Sequence, residues 1–327
     1  MNEIRHNKSK KFSSRQVEIL SGLAAGFTTT ILTHPLDVLK IRLQLDHNRV
    51  GMKSKPFQSV INIIKQLNTD AQSSTYINFK HQKFKTPFPI NYLSQYYRGL
   101  IPNLIGNISA WGLYFTLYAE FKKDLNLSNK SMNYFLSSTL AGISTSILTN
   151  PIWVLKTRIL SSSKNSKNAY KSVIDGIKQM LFQEGILSFW KGCLPSMVQV
   201  FQASLQFTIY DNMKNYIIKN QQLDNNKNQL GLSNWQYLYI SATSKIISTL
   251  IFYPTQVIKS RLQNFKQNDH NRQYKITINK IIKQLYLKEG GISAFYKGLS
   301  TNIIRVLPAT CITFVVYENV KKFLIDL

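Results

Sequence analysis

The chain has 327 residues, with 41 Lys and Arg against 15 Asp and Glu and a formal net charge of +26. Two cysteines and five scattered histidines supply neither a disulfide framework nor a metal-ligand spacing, and no paired carboxylates, Gly-rich phosphate loop or nucleophile elbow occur. That composition argues against an enzyme and leaves two readings of the charge: a nucleic-acid-binding protein, or a membrane protein with basic loops.

In chain order, MNEIRHNKSKKFSS lacks an apolar core and clear amphipathic periodicity, so it reads as neither a secretory signal nor a transit peptide. An apolar, small-residue stretch follows, ILSGLAAGFTTTILTH (19–34), and runs into HPLDVLKIRLQ (34–44). A long loop comes next. Its segment 68–95, rich in Asn, Ser, Gln and Lys, reads as a mobile insertion. YYRGL (96–100) then leads into LIPNLIGNISAWGLYFTLY (100–118) and YAEFK (118–122).

The same order returns twice. The second copy has YFLSSTLAGISTSILTN (134–150), NPIWVLKTRIL (150–160), FWKGC (189–193), CLPSMVQVFQASLQFTIY (193–210) and YDNMK (210–214). The third has YISATSKIISTLIFY (239–253), YPTQVIKSRLQ (253–263), FYKGL (295–299), LSTNIIRVLPATCITFVVY (299–317) and YENVK (317–321). Ordered elements in three copies define a triplicated unit of roughly a hundred residues, with repeats at 15–123, 131–217 and 234–325.

No stretch of 18 residues is purely apolar, the usual spanning signal. Yet the six segments mix Leu, Ile and Phe with Ser, Thr, Asn and Gln, and almost lack the Lys and Glu of a water-soluble bundle. Helices with one face on lipid and one on a watery cavity have this composition. Loops within the repeats hold about three times as many Lys and Arg as loops between them, which places the long loops on one side. Each long loop also carries a short amphipathic run such as SVIDGIKQMLF (172–182), read as a surface helix. Pro35, Pro151 and Pro254 each remove a backbone bond, so three kinked helices can converge on a cavity floor. The pairs Gly22/Gly26 and Ser138/Gly142 are spaced for close helix approach, and repeat 3 puts Lys245 at that position. A lysine there is expensive. It shares a face with Gln256 to within about 20°, and either lines the cavity or snorkels to the surface.

The three proline motifs, the aromatic-basic-Gly elements and the Tyr-acid-x-x-Lys closures resemble the mitochondrial carrier family over the whole chain, apart from short ends and the insertion. The resemblance implies an all-α membrane protein: six tilted transmembrane helices in three tandem repeats with threefold pseudo-symmetry, plus short matrix helices. It also implies a multi-pass inner-membrane location with both termini toward the intermembrane space, alternating access to one central site, and function as a monomer without cofactor or nucleic acid.

By the same resemblance a matrix gate pairs Asp37 with Lys156. Trp153 and Gln256 stand where the other two acids would be, so Lys40 and Lys259 lack carboxylates; Gln44 and Gln263 are braces. A cytoplasmic gate pairs Asp211 with Lys321 and Glu318 with Lys122. Ala119 leaves Lys214 without its acid, and Tyr118, Tyr210 and Tyr317 are the braces. Substrate contact points map to Gly106/Asn107, Gln199/Val200 and Arg305, with the register in repeat 2 open by one residue. Trp111 lies one turn past Asn107 and could stack on a planar ring or pack in the core. Arg98/Gly99, Lys191/Gly192 and Lys297/Gly298 fit lipid phosphate at helix N-termini, the family's cardiolipin sites. Trp153, GNISAWGLYF (106–115), Lys245 and RVLPATCITFVVYENVKK (305–322) resemble the subgroup carrying folate, flavins, pyrimidine nucleotides and NAD. The expected substrate is FAD, with FMN, folate, NAD and pyrimidine nucleotides as alternatives.

Overall fold

The computed structural model describes residues 13–47, 58–73, 76–79, 82–85, 90–125, 129–162, 169–170, 172–223, 233–265 and 277–326. Three long helices carry the proline motifs: α1 (Ser14–Leu45), α5 (Lys130–Ser161) and α9 (Asn234–Asn264). Their starts are specified locally. Ser13 and Gln16 form a capping box on α1, Ser233 and Gln236 form one on α9, and the Asn129 side chain accepts the Met132 N–H at 3.3 Å on α5. The helices run on through Pro35, Pro151 and Pro254. Proline 151 leaves the Ile147 carbonyl without its helical donor, and the Trp190 indole N–H takes that carbonyl at 3.1 Å.

The second crossing of each repeat is α4 (Leu100–Leu125) in repeat 1 and α11 (Leu299–Asp326) in repeat 3. In repeat 2 it is two pieces, α7 (Cys193–Val198) and α8 (Val200–Leu223), interrupted at Gln199. The break falls where the sequence of repeat 2 is one residue short. Gly99, Gly192 and Gly298 begin these crossings at φ of 76°, 78° and 80°, a conformation that favours glycine. Each abuts the proline helix of the next repeat. A Cβ on Gly99 would strike Leu160, one on Gly192 would sit 3.1 Å from Lys259 O, and one on Gly298 would sit 3.1 Å from Lys40 O. Repeat 1 thus meets 2, 2 meets 3, and 3 meets 1. Six crossings form a closed ring with threefold pseudo-symmetry.

Short helices α2 (Gln58–Ser73), α6 (Val173–Glu184) and α10 (Ile278–Lys288) follow the proline helices. Each inserts its apolar stripe beneath its own repeat: Ile63 and Leu67 against Val38 and Leu43, Met180 against Leu155 and Ile159, Ile281 and Leu285 against Val257 and Leu262. Each such side chain contributes about 2 kcal/mol on burial. The core therefore lies in three equivalent parts at the proline end. Toward the middle, large apolar residues such as Phe27, Ile105, Phe115, Phe207, Ile251 and Val315 are exposed, as a lipid-facing surface requires. Among the described residues only the stretch containing α11 is apolar enough by composition to be a spanning helix. The other crossings dilute the signal with residues that face inward.

Two expectations need correction. The described residues of the 68–95 segment carry regular structure where a loop was expected: α2 runs on to Ser73, Tyr76–Phe79 pairs antiparallel with Gln82–Lys85, and α3 (Ile90–Tyr96) leads into the loop before Gly99. Small residues do not all mark close packing either. A Cβ on Gly142 would lie 2.7 Å from Val200, but Gly22 and Gly26 face open space.

Candidate functional site

Where α1, α5 and α9 converge beyond their prolines, one carboxylate stands among several cations. Asp37 is buried. Arg305 Nη1 from α11 lies 2.5 Å from its Oδ1, and Lys156 Nζ from α5 lies 3.8 Å from its Oδ2. Asn103 of α4 donates to Oδ2 at 3.4 Å. The expected Asp37–Lys156 pair is present, but it is not the only charged pair of the floor. Arg305, placed by sequence among the substrate contacts, is held by Asp37.

The other two acid positions are filled as expected by neutral groups. Lys40 donates to Gln256 at 3.0 Å, and Gln256 donates to Gln202 at 3.1 Å. Lys259 donates to Gln199 at 3.3 Å. Trp153 has a larger part than replacing an acid. Its ring carries Lys156 at 5.1 Å, its N–H donates to Thr149 at 3.1 Å, and its edge covers Gly106, where a Cβ would meet it at 3.2 Å. A Cβ at 106 would force the indole to give way by a few tenths of an ångström. Among the braces, Gln44 donates to Tyr253 OH at 3.2 Å and accepts from Ser260 at 2.6 Å, while Gln263 accepts from Thr157 at 2.7 Å.

Below the floor, arginines stitch each proline helix to the next. Arg158 Nε donates to Gln263 O, Arg261 Nε to Gln44 O and Arg42 Nε to Leu160 O, at 2.9, 2.6 and 3.3 Å. Their carboxylate partners are Glu184, Glu289 and Asp70. Burial pushes the Glu184 and Glu289 carboxyls up, but hydrogen bonds from Arg158 with Lys191, and from Arg261 with Lys297, outweigh it. Glu184 is held below its ordinary value and Glu289 falls to about 2. The cations expected to face lipid are turned inward. Lys191 binds Glu184 at 2.5 Å and Lys297 binds Glu289 at 2.6 Å, while Arg98 Nε donates to Ile159 O at 2.8 Å.

At the opposite end the charged pairs are not made. Among the described residues neither Asp211–Lys321 nor Glu318–Lys122 forms an ion pair, and Asp211, Glu318 and Lys122 are exposed. Lys122, Lys214 and Lys321 lie over the rings of Tyr134, Tyr237 and Tyr317 at 4.7, 5.9 and 5.5 Å. Tyr118 stacks on Tyr114, and Tyr210 is half-buried. This conformation is closed at the proline end.

Between the ends, Asn103, Asn107, Trp111, Tyr114 and Tyr118 follow one another at helical spacing along α4. Asn103 touches Asp37, which turns the lower end of this stripe toward the floor, and Asn107 donates to Thr30 at 3.3 Å. Trp111 is not core packing. It is 62% exposed and touches Tyr114 and Phe115 of its own helix. Lys245 of α9 is half-buried, close enough to Arg305 for the two cations to repel, and has no hydrogen-bond or ion partner among the described residues. Gln199 turns to Lys259 while Val200 packs on Gly142, so the two candidates in repeat 2 divide their tasks.

Sequence reasoning missed His34, Asn103, Gln202, Glu184 and Glu289. The glutamates stand in QEG (183–185) and KEGG (288–291), an acid-Gly repeat that was legible. Gln202 has no such mark.

The chain matches the family model described as mitochondrial carrier protein over residues 13–70, 127–221 and 231–327. It is 36% identical to the mitochondrial FAD carrier protein of Saccharomyces cerevisiae, covering 94% of this chain and 96% of the relative. It is 30% identical to the chloroplastic folate transporter 1 of Arabidopsis thaliana, over 93% and 94% of the two chains. To the mitochondrial nicotinamide adenine dinucleotide transporter 1 of Saccharomyces cerevisiae it is 28% identical, over 95% and 78%.

Proposed function

We propose that this chain, which belongs to the mitochondrial carrier protein family, moves FAD or a closely related flavin nucleotide across the mitochondrial inner membrane by alternating access. It is a transporter, not an enzyme. The observation that carries the substrate class is the floor: among the described residues Asp37 is the one carboxylate beside Lys40, Lys156 and Arg305, with Lys259 near Lys40 and Lys245 close to Arg305. An excess of cations at the base of a cavity open at the other end draws an anion inward. A diphosphate can bridge Arg305 and Lys245, and Trp111 offers an exposed ring for stacking a flavin or adenine.

In this reading the conformation is the one open to the intermembrane space. The cluster around Asp37 is the matrix gate, and Asp211, Glu318, Lys122 and Lys321 pair when that gate opens. Both termini face the intermembrane space, the protein works as a monomer, and cardiolipin phosphate binds at the helix starts of Gly99, Gly192 and Gly298. Folate is the second reading, because it too is a flat anion and one relative is named as a folate transporter. Purified protein in liposomes, offered FAD, FMN, folate, NAD and pyrimidine nucleotides in turn, tests the choice. Uptake of folate with none of FAD would overturn the flavin assignment and leave the carrier reading standing.

A further inference from the structure

The residue before each kink proline makes the same bond with a different side chain. His34 Nε2 donates to Arg98 O at 3.0 Å, Asn150 Nδ2 donates to Lys191 O at 3.3 Å, and Tyr253 OH donates to Lys297 O at 3.1 Å. In every repeat this bond pins the kink to the carbonyl just ahead of the helix-starting glycine. A donor is what the position requires. Of the three side chains, only an imidazole changes protonation near neutral pH.

His34 is fully buried and stacks on Tyr97 with ring centroids 6.0 Å apart. A carbonyl can only accept, so Nε2 carries the proton of the neutral ring and Nδ1 must accept. Its donor is Asn103 Nδ2 at 3.2 Å, and the same nitrogen stands 3.4 Å from Asp37 Oδ2. The direction of every hydrogen bond from Arg98 O to the floor carboxylate is therefore fixed.

We propose that neutral His34 is a positioning residue for Asp37, and that protonating it uncouples the floor from the pinned kink and slows transport. This rests on the reading of Asp37 as the acid of the gate. A protonated ring carries N–H on both nitrogens. Asn103 must then turn its oxygen to Nδ1, which removes its N–H from Asp37. The charged groups facing the ring are Asp37 on its own helix and Lys156 from α5, with Arg305 of α11 beyond Asp37. The charge gained on His34 attracts Asp37 and repels Lys156, so it pulls against the Asp37–Lys156 pair while the neutral donor is lost.

Wild type, His34→Asn and His34→Ala in liposomes, with equal pH on both sides, test this by FAD uptake between pH 8 and 5. The FAD diphosphate stays ionised throughout. Wild-type uptake should fall roughly tenfold toward the acid end of that range, because the ring is fully buried. His34→Asn gives repeat 1 the side chain repeat 2 already uses; its uptake should exceed that of His34→Ala and lack the acid-side loss of wild type. His34→Ala should be slow and lack that loss too. A wild-type pH profile in His34→Asn, or full activity in His34→Ala, overturns the proposal. If FAD is not carried at all, the flavin reading fails instead, and the unfolding temperature in detergent over the same range serves as the readout. Acid lability confined to wild type supports the role; equal slopes in all three proteins refute it.

Discussion

Arg305 Nη1 stands 2.5 Å from one Asp37 oxygen, closer than Lys156 Nζ at 3.8 Å from the other. A residue on a second crossing, at a position read as a substrate contact, therefore closes the floor formed by the proline helices. An anion that binds Arg305 must compete with Asp37, so anion binding there and loosening of the floor pair draw on one guanidinium. Breaking so buried a pair from one side costs about 3 kcal/mol, because the remaining charge stays desolvated. Asp37→Arg should abolish uptake, and adding Arg305→Asp should restore a measurable fraction. The alternative swap, Asp37→Lys with Lys156→Asp, should recover less, since Arg305 then faces the new lysine. Liposome uptake with protein of verified insertion decides between them; the reverse order of rescue would make Lys156 the dominant partner.

Gly106 and Trp153 form a size-matched pair between α4 and α5. A side chain at 106 would begin 3.2 Å from the indole, so Gly106→Val must displace it. Overpacking of this kind costs about 1–3 kcal/mol. The unfolding temperature in detergent should drop for Gly106→Val and rise again on adding Trp153→Ala. Additive losses in the double variant would show that the two side chains do not share the space.

Glu289 links Arg261, Lys297 and His47 below the floor, with its side chain 2% exposed. Its pKa is lowered in the folded state to about 2, so its contribution to stability is complete above the ordinary carboxylate range. That contribution fades as pH falls from about 4.5 toward 2. Glu289→Gln should lower the unfolding temperature at pH 7, through about 3 kcal/mol of unpaired buried charge. It should also flatten the acid arm of the stability profile. An unchanged acid arm would place the linkage elsewhere.

The repeat, the prolines inside the helices and the floor lysines were legible because each is written three times and copies can be compared. Asp37 stood out because Trp153 and Gln256 break that pattern. What could not be read were contacts made across repeats by residues that differ between copies. His34, Asn150 and Tyr253 share a task while sharing no chemistry except a donor. The inward turn of Lys191 and Lys297 was hidden for a related reason: a Lys beside a glycine looks the same whether it meets lipid phosphate or a glutamate five or more residues upstream in the chain. The hairpin at 76–85 has no counterpart in the other repeats, so comparison gave it no support.

Lys245 and Trp111 test the substrate most directly, because neither holds the floor together. Lys245 has no partner among the described residues and sits close to Arg305, so two like charges are held near each other at a cost in the empty protein. A bound diphosphate relieves that repulsion. Lys245→Ala should therefore cut FAD uptake at least tenfold while leaving the unfolding temperature of the empty protein unchanged or slightly higher. FAD should protect wild type against thermal unfolding and protect Lys245→Ala much less. Trp111 is 62% exposed and lends the fold little, so Trp111→Ala should fold normally. It should lose about 1–3 kcal/mol of ligand affinity if a planar ring stacks there. Inorganic pyrophosphate separates the two contributions, since it needs the cation and not the ring. Its protection should vanish in Lys245→Ala and persist in Trp111→Ala, and equal loss in both variants would refute the division of the site into a diphosphate clamp and a stacking face.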